Sequence, residues 1–369
     1  MFQQNYLKTS LQLLFIIISL ILTPFSLAED PTETNIQTGT YSGAKTATHP
    51  SWFKESFLDL EEDINDASKQ GKRLVVYFWQ PGCPYCSQLW EDNFSQKDLE
   101  ESFRKNFEII AINLWGDRDV VAIKGNDYTE KSFAEALNIQ YTPTLLFFNE
   151  KQKLELQLNG YIPPEEFRLA LEYAANKDPA KVNYATWVAS NKLASTKQTT
   201  LTKKKKTKST LLNHQDFFSK PSYHLDRSQH PSTKMLAVFF EETECKNCDL
   251  LHKKTLQIPE TRQLIKQFEA IQLNRYAPTR IVTPKGNSTT AKDWANSLNI
   301  NYLPAIIFFD KTGKEVMRID AQMRSFHIQS VFDYVLSGDY KTHKNFQRYI
   351  SLRADKLREK GINIDIWAY

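Results

Sequence analysis

The chain has 369 residues, of which 41% are hydrophobic and 24% charged, and its formal net charge is +4. This length favours two domains, and the composition excludes a collagen-like or broadly disordered chain. Because acidic and basic side chains nearly balance, nucleic acid is not expected as the main partner.

The first 28 residues are typical of a secretory signal peptide. An apolar stretch covers residues 11–22, Pro24 then breaks the helix, and Ser26 and Ala28 are the small residues at positions −3 and −1 of a cleavage site. The sequence therefore predicts export to the periplasm. An uncleaved membrane anchor is the alternative, because the apolar stretch is nearly long enough to span a bilayer. Residues 29–48 are expected to form a flexible segment.

A first domain of alternating helices and strands is predicted over residues 49–191. Residues 74–79 form a nearly continuous apolar run, which is typical of a buried central strand. The pair Cys83 and Cys86 directly follows this strand and opens a helix that runs towards Phe94. The other predicted elements are a helix over 57–68, a strand at 108–114, a helix over 130–137, a hairpin of 144–148 and 154–158, and a final helix over 163–174.

Residues 192–212 are rich in Lys, Thr and Ser and contain an unbroken run of lysines at 203–206. Since this segment lacks apolar periodicity, it is expected to be a solvated, self-repelling linker. Contact of the lysine run with an anionic membrane or partner is the alternative.

A second domain is predicted over residues 213–340, because much of the first domain recurs about 162 residues later. Leu-Asn-Ile-Gln-Tyr-Thr-Pro at 137–143 matches Leu-Asn-Ile-Asn-Tyr-Leu-Pro at 298–304, and a second Cys pair matches the first. A repeat this long is a duplicated domain rather than a solenoid unit. The predicted elements are strands at 236–240 and 270–273, a helix at 291–298, a hairpin of 306–309 and 315–319, and a helix over 326–336.

Residues 341–369 are expected to form a helical extension of the second domain. Residues 345–360 have the apolar pattern of an amphipathic helix, which is expected to pack on its own domain rather than to recruit a partner. The extension also recurs after the first domain, where Tyr184 and Trp187 fall opposite Phe346 and Tyr349.

The four cysteines form two Cys-x-x-Cys pairs and leave no odd thiol. Such pairs close almost no loop and add little stability through chain entropy, so their value is expected to be chemical. Structural disulfides and a shared zinc site are alternatives, although zinc ribbons place their pairs close in sequence. Haem attachment is excluded, because no His follows the second Cys of either pair.

A strand, a Cys-Pro-Tyr-Cys motif that opens a helix, and a Thr-Pro before a hairpin together resemble the thioredoxin superfamily. The motif at residues 83–86 resembles the active-site tetrapeptide of glutaredoxins, and with residues 52–53 and 56–60 it is similar to bacterial periplasmic thioredoxin-related proteins. The resemblance covers both repeats. It implies an α/β fold of two tandem thioredoxin-like domains, each a central mixed sheet with helices on both faces.

The first cysteine of each pair is expected to react with the thiol or disulfide of a protein partner. A thiolate is the reactive species in disulfide exchange, and a helix N-terminus stabilises it. Cys83 is therefore expected to be the acidic, exposed attacking thiol, and Cys86, one turn further on, the more buried resolving thiol. Cys245 and Cys248 are expected to act as a second catalytic couple.

The prolines before the two predicted hairpins complete the pattern. The resemblance implies that Pro143 and Pro304 are cis and help to hold an extended substrate peptide. Their recurrence at matching positions after Cys83 and Cys245 argues against simple strand-edge prolines. The implied substrate-binding residues are Trp79, Pro84, Tyr85, Thr142, Pro143, Leu303 and Pro304.

The two sites are expected to differ. Thioredoxins keep a buried Asp six residues before the first Cys, where this chain has Tyr77 and Phe239, which argues against efficient thioredoxin-type reduction. Nearby negative charge disfavours a thiolate, so Cys245 is expected to have a higher pKa than Cys83, and the second site to be more reducing or slower. The carboxylates that precede Cys245 are Glu241, Glu242 and Glu244.

These patterns predict a periplasmic enzyme that exchanges disulfides with protein thiols. Reduction is favoured, because the resemblance is to thioredoxins supplied by a membrane electron donor, and no organic cofactor or metal is implied. The alternative is a tandem binding module, a chaperone-like clamp in which the second Cys pair is structural or a redox sensor. Replacing Cys83 by serine distinguishes the two, because an enzyme loses turnover and a clamp keeps binding.

Overall fold

The computed structural model describes residues 37–46, 48–178, 182–188, 190–191 and 211–369. The predicted signal peptide and nearly all of the predicted linker lie outside the described residues, so both stay predictions. Within the described ranges, no helix is long and apolar enough to cross a membrane.

The first half of the chain forms a four-stranded mixed sheet with the order β3-β2-β6-β7, in which β2 is parallel to β3 and antiparallel to β6. Its elements are β1 (Tyr41–Ser42), α1 (Leu60–Lys69), β2 (Arg73–Trp79), α2 (Pro84–Gln88), α3 (Lys97–Asn106), β3 (Phe107–Asn113), β4 (Asp119–Val121), β5 (Asp127–Thr129), α4 (Glu130–Ala136), β6 (Thr144–Phe148), β7 (Leu154–Asn159), α5 (Pro164–Ala175) and α6, a helical stretch described at 184–188 and 190–191.

Side chains of the central strand β2 alternate between two core layers. Val75 and Tyr77 face one layer, while Leu74, Val76 and Phe78 face the other. Because both faces of this strand are covered, its sequence after Arg73 is apolar rather than alternating. The helices and mixed sheet of each half confirm the predicted fold class.

The second half repeats this plan with the sheet order β10-β9-β13-β14. Its elements are β8 (Tyr223–His224), β9 (Leu236–Glu241), α7 (Lys246–Leu250), α8 (Pro259–Ile265), β10 (Glu269–Asn274), β11 (Arg280–Val282), β12 (Ser288–Thr290), α9 (Ala291–Ser297), β13 (Ala305–Phe309), β14 (Glu315–Ile319), α10 (Ser325–Ser337), α11 (Phe346–Glu359) and β15 (Ile364–Asp365). After each Cys pair the helix continues as a π-helical stretch, over Leu89–Phe94 and Leu251–Thr255.

The segment expected to be flexible, residues 29–48, contains a strand in its described part. β1 pairs in parallel with β15 near the other end of the chain. Glycine makes this possible, because a Cβ on Gly39 would lie 2.1 Å from the carbonyl oxygen of Ile362. Backbone pairing rather than side-chain burial places these residues, and their flexibility stays a prediction.

The two halves pack through counterpart residues. Tyr141 of the first half lies in the core cluster of the second half, and Tyr302, at the matching position, lies in the core cluster of the first half. The Tyr141 hydroxyl donates to the carbonyl of Arg318. Tyr161 of the first half and Gln322 of the second also form an isolated antiparallel bridge. Each half thus completes the core of the other.

Candidate redox sites

The first Cys pair lies at the start of α2, where β2 delivers it. Cys83 is the N-cap of α2 and forms a disulfide with Cys86, and the Cys86 N–H donates to Cys83 Sγ at 3.1 Å. Pro84 occupies the first helical position, where a missing N–H costs nothing. The attacking sulfur therefore lies at the positive end of the helix, as the sequence predicts.

The cis proline completes the first site. The Thr142–Pro143 peptide is cis, which confirms the sequence prediction. The carbonyl oxygen of Thr142 lies 3.5 Å from Cys83 Sγ, and both residues are buried. The loop before β6 is therefore in direct contact with the reactive disulfide.

The second site repeats this geometry. Cys245 is the N-cap of α7, is disulfide-bonded to Cys248, and accepts the Cys248 N–H at 3.0 Å. The Leu303–Pro304 peptide is cis. The residue before each first cysteine lies in the left-handed region, Gly82 with φ 74° and Glu244 with φ 63°. The loop before the second site therefore has the same backbone conformation with glutamate in place of glycine. This left-handed conformation costs the glutamate about 1–2 kcal/mol.

Cys83 is not exposed. Only 2% of its surface is accessible, and Cys86 is fully buried. The prediction of an exposed attacking thiol is therefore wrong for this structure. Cys83 packs in the core of its own half beside the Thr142 carbonyl, and the second half of the chain packs over the neighbouring Tyr85.

Tyr85, between the two cysteines, makes the main contact with this covering surface. The Arg324 N–H donates to Tyr85 Oη at 2.8 Å, and His327 Nδ1 lies 3.2 Å from the same oxygen. The rings of His327 and Trp367 both pack edge-on against the Tyr85 ring, each with centroids 5.0 Å away. Burial raises the pKa of Tyr85. Tyr85, which was predicted to bind substrate, thus contacts the second half of the same chain.

The remaining predicted binding residues are divided between the sites. In the first site, Pro84, Thr142 and Pro143 are buried, while half-buried Trp79 packs edge-on against His49, with ring centroids 4.4 Å apart. In the second site, Leu303 lines a cavity of about 200 Å³ together with Cys245. The structure places Thr142 at Cys83 and Leu303 at the cavity beside Cys245. The part of all these residues in binding stays a prediction.

Glu241 is not a free carboxylate beside the second thiol. Its side chain is 1% exposed and accepts from His252 Nε2 at 3.0 Å and from Gln272 Nε2 at 3.0 Å. His252 Nδ1 in turn lies 3.0 Å from Gln215 Nε2. Sequence reasoning missed this cluster, although a glutamate that ends an apolar strand was a signal for a buried polar partner. The corresponding positions in the first half are Trp79 and Trp90.

Acid is expected to weaken the contact of His327 with Tyr85. Burial lowers the pKa of His327 from 6.5 to about 4, so the imidazole ring in contact with Tyr85 is neutral. Its stabilisation is complete above pH 6.5 and is lost as the pH falls towards 4, by about 2 kcal/mol between pH 7 and 5. Tyr85 and the backbone N–H of Arg324 face the His327 ring. Asp320 is buried in the interface and its pKa is raised, so its titration favours the folded state as the pH falls, opposite to the effect of His327.

The contribution of His327 is therefore measured as a difference. The free energy of unfolding is determined at pH 7 and pH 5 for the wild type and for His327→Gln. The wild type is expected to lose about 2 kcal/mol more than the variant over this range. An equal loss in both proteins would contradict the assignment.

A family model described as a thioredoxin-like domain matches residues 60–175 and again residues 225–336, which together are more than half of the chain. No curated protein matches the chain. Among solved structures, a thioredoxin-fold protein from Helicobacter pylori is 22% identical, with a TM-score of 0.32, and the match covers 39% of this chain and 92% of that one.

Two further matches are a C-terminal domain of DsbD from Neisseria meningitidis and the first two thioredoxin domains of Saccharomyces cerevisiae Eps1p. The first is 14% identical with a TM-score of 0.25, and the match covers 32% of this chain and 96% of that one. The second is 13% identical with a TM-score of 0.23, and covers 72% and 90%. The family model, matched once in each half, carries the assignment, and the chain belongs to the thioredoxin-like domain family as a tandem pair of such domains.

Proposed function

We propose that the protein is an exported thiol–disulfide oxidoreductase that reduces disulfides of protein substrates in the periplasm. The observation that carries the exchange chemistry is the pair of redox disulfides, each at a helix N-terminus inside a thioredoxin-like domain. Each first sulfur caps its helix, where the macrodipole favours the thiolate over the thiol. Export and the reducing direction are supported by the predicted signal peptide and by the resemblance to periplasmic thioredoxins.

In the reducing direction, the Cys83 thiolate attacks one sulfur of a substrate disulfide. This attack forms a mixed disulfide, and the other sulfur of the substrate leaves as a thiolate and takes up a proton. The Cys86 thiolate then attacks Cys83 Sγ, which releases the second substrate thiol and forms the Cys83–Cys86 disulfide. Two electrons have passed to the substrate, and a membrane electron donor is the proposed source that restores the dithiol. Cys245 and Cys248 perform the same cycle in the second site.

A double variant, Cys83→Ser with Cys245→Ser, is expected to lose turnover of a protein disulfide down to the rate of uncatalysed exchange. The reason is that a serine hydroxyl neither forms a mixed disulfide nor ionises near neutral pH. Turnover is measured with a fluorescent disulfide-bonded protein, with Ser87→Ala as the matched control that leaves all four thiols in place. Full turnover by the double variant would contradict the proposal and favour the binding module.

Direction and location need separate measurements. The reduction potential of each pair is determined by equilibration with glutathione in the background that lacks the other pair. Values of about −270 mV support a reductase, and values of about −120 mV would show that disulfides are formed here instead. Cell fractionation with N-terminal sequencing tests export, and the expected mature chain begins at Glu29. A full-length cytoplasmic chain would overturn that part of the proposal.

A further inference from the structure

The first disulfide is covered by contacts that come from distant parts of the chain. Beyond Arg324, His327 and Trp367 on Tyr85, the side chain of Gln347 on α11 binds both loops that frame the site. Gln80 Nε2 donates to Gln347 Oε1 at 2.8 Å, and Gln347 Nε2 donates to the carbonyl of Gln140 at 3.0 Å. We call these four residues, Arg324, His327, Gln347 and Trp367, the lid contact.

Gln80 and Gln140, which Gln347 contacts, lie in the two loops that carry the first cysteine and the cis proline. Gln80 lies three residues before Cys83, and Gln140 lies three residues before the cis Pro143. A protein substrate of a thioredoxin-like domain must approach between these two loops to reach the first sulfur. The lid contact therefore covers the face that a macromolecular partner needs.

The C-terminal segment, Trp367–Tyr369, is itself held in place by the second domain. The Arg324 guanidinium lies 4.6 Å from the centroid of the Trp367 ring and 3.9 Å from that of the Tyr369 ring. These cation–π contacts fix Trp367 against Tyr85. The segment thus contacts both the second domain, through Arg324, and the core of the first half, through Trp367.

The second disulfide is also buried, but 8% of Cys245 is exposed against 2% of Cys83, and Tyr184 and Val188 of the first half line the cavity beside it. The counterpart of Tyr85 is Asn247, which is half-buried, and Lys246 beside it is exposed. Cys245 lines the cavity of about 200 Å³ described above. A small polar side chain offers no ring for a lid to pack on, so the two disulfides differ in how a partner can reach them.

We propose that the second domain is an intramolecular lid on the Cys83–Cys86 disulfide, so that a protein dithiol exchanges with this disulfide only after the lid contact opens. The inference rests on the proposed function and concerns the regulation of its first site. In the opened state, a thiolate of the protein dithiol attacks Cys83 Sγ and the Cys83–Cys86 bond breaks. Cys86 leaves as a thiolate and takes up a proton, and the second thiol of the partner resolves the mixed disulfide. The chain is then reduced and the partner oxidised.

The test measures reduction of the first disulfide alone, in the full chain with Cys245→Ser and Cys248→Ser. The reductants are a single-domain reduced thioredoxin, as the protein dithiol, and dithiothreitol, as the small one. In this background, Trp367→Ala and, separately, Gln347→Ala are expected to raise the rate with the protein dithiol at least tenfold, and the rate with dithiothreitol less. Leu352→Ala, on the exposed side of α11, is the matched control and is expected to leave both rates unchanged.

Amide hydrogen exchange at Arg324 reports the opening independently, because this N–H donates to Tyr85 Oη. Its exchange is expected to accelerate in Trp367→Ala together with the reduction rate. Equal rates with the protein dithiol in the parent and in an opened variant would overturn the lid and leave the proposed function standing. An opened variant that reacts with dithiothreitol but not with the protein dithiol would overturn the proposed function, and the lid with it.

Discussion

Glu241→Ala is expected to lower the free energy of unfolding by roughly 1–3 kcal/mol, the cost of a buried donor that loses its acceptor. That donor is His252 Nε2, whereas Gln272 Nε2 still donates to the carbonyl of Asn213 at 2.7 Å. Water cannot replace the carboxylate without entering the core, since Glu241 and His252 are 1% and 4% exposed. The loss is measured by chemical denaturation, followed by the fluorescence of the aromatic side chains.

Two variants separate this explanation from a general effect of truncation. Glu241→Gln keeps one acceptor oxygen and the side-chain volume, so its loss is expected to be less than half of that of Glu241→Ala. Glu135→Ala removes an exposed glutamate of α4 and is expected to change stability by less than about 0.5 kcal/mol. If Glu241→Ala were no more destabilising than Glu135→Ala, the buried cluster would have no structural role.

Tyr141→Ala and Tyr302→Ala are each expected to destabilise the chain by about 3–5 kcal/mol, the usual cost of removing a buried aromatic ring. Each tyrosine lies in the core cluster of the opposite half, so both variants damage a domain other than their own. Limited proteolysis is expected to show the halves separating before either one unfolds. Unfolding of both halves in one step, without separation, would contradict this reading of the interface.

The phenylalanine variants give a sharper comparison. Tyr141→Phe leaves the Arg318 carbonyl without the hydroxyl that donates to it and is expected to cost about 1 kcal/mol. Tyr302→Phe is expected to cost nothing, because the buried Tyr302 hydroxyl has no hydrogen-bond partner among the described residues. The two variants remove the same atom from matching positions, so only the hydrogen bond distinguishes them.

Local sequence patterns predicted the sheet well. The strands at β2, β6, β9 and β14 lie within one residue of their predicted bounds, since a buried strand between turn residues leaves a sharp boundary in the apolar pattern. The Cys pairs were recognised because their spacing is a property of a few neighbouring residues, whereas the cis state of Pro143 and Pro304 was implied by the resemblance to the thioredoxin superfamily. The helix α3 (Lys97–Asn106) was missed, since it buries only Leu99 and Phe103 and its polar composition hides so narrow an apolar stripe.

The contact of the second half with Tyr85 could not be predicted in this way. Tyr85 and Arg324 are 239 residues apart, and no local period in the sequence records which surfaces of two separate domains meet. The amphipathic helix near the C-terminus was expected to pack on its own domain, and Phe346 and Tyr349 do lie in that core. Its Gln347 nevertheless binds the first domain. A helix face that carries one polar residue beside the apolar ones can contact the core of its own domain and the surface of another domain.

Each half presents to the other the same patch that it receives, as the tyrosines in exchanged cores and the Tyr161–Gln322 bridge show. Such a contact is isologous, the geometry of a symmetric homodimer in which two identical subunits share one surface. When both copies lie on a single chain, dilution no longer separates them, because tethering replaces protein concentration by a fixed effective concentration. The two copies are then also free to diverge one at a time, and Asn247 in place of a tyrosine is a change that a homodimer would have to make on both sides.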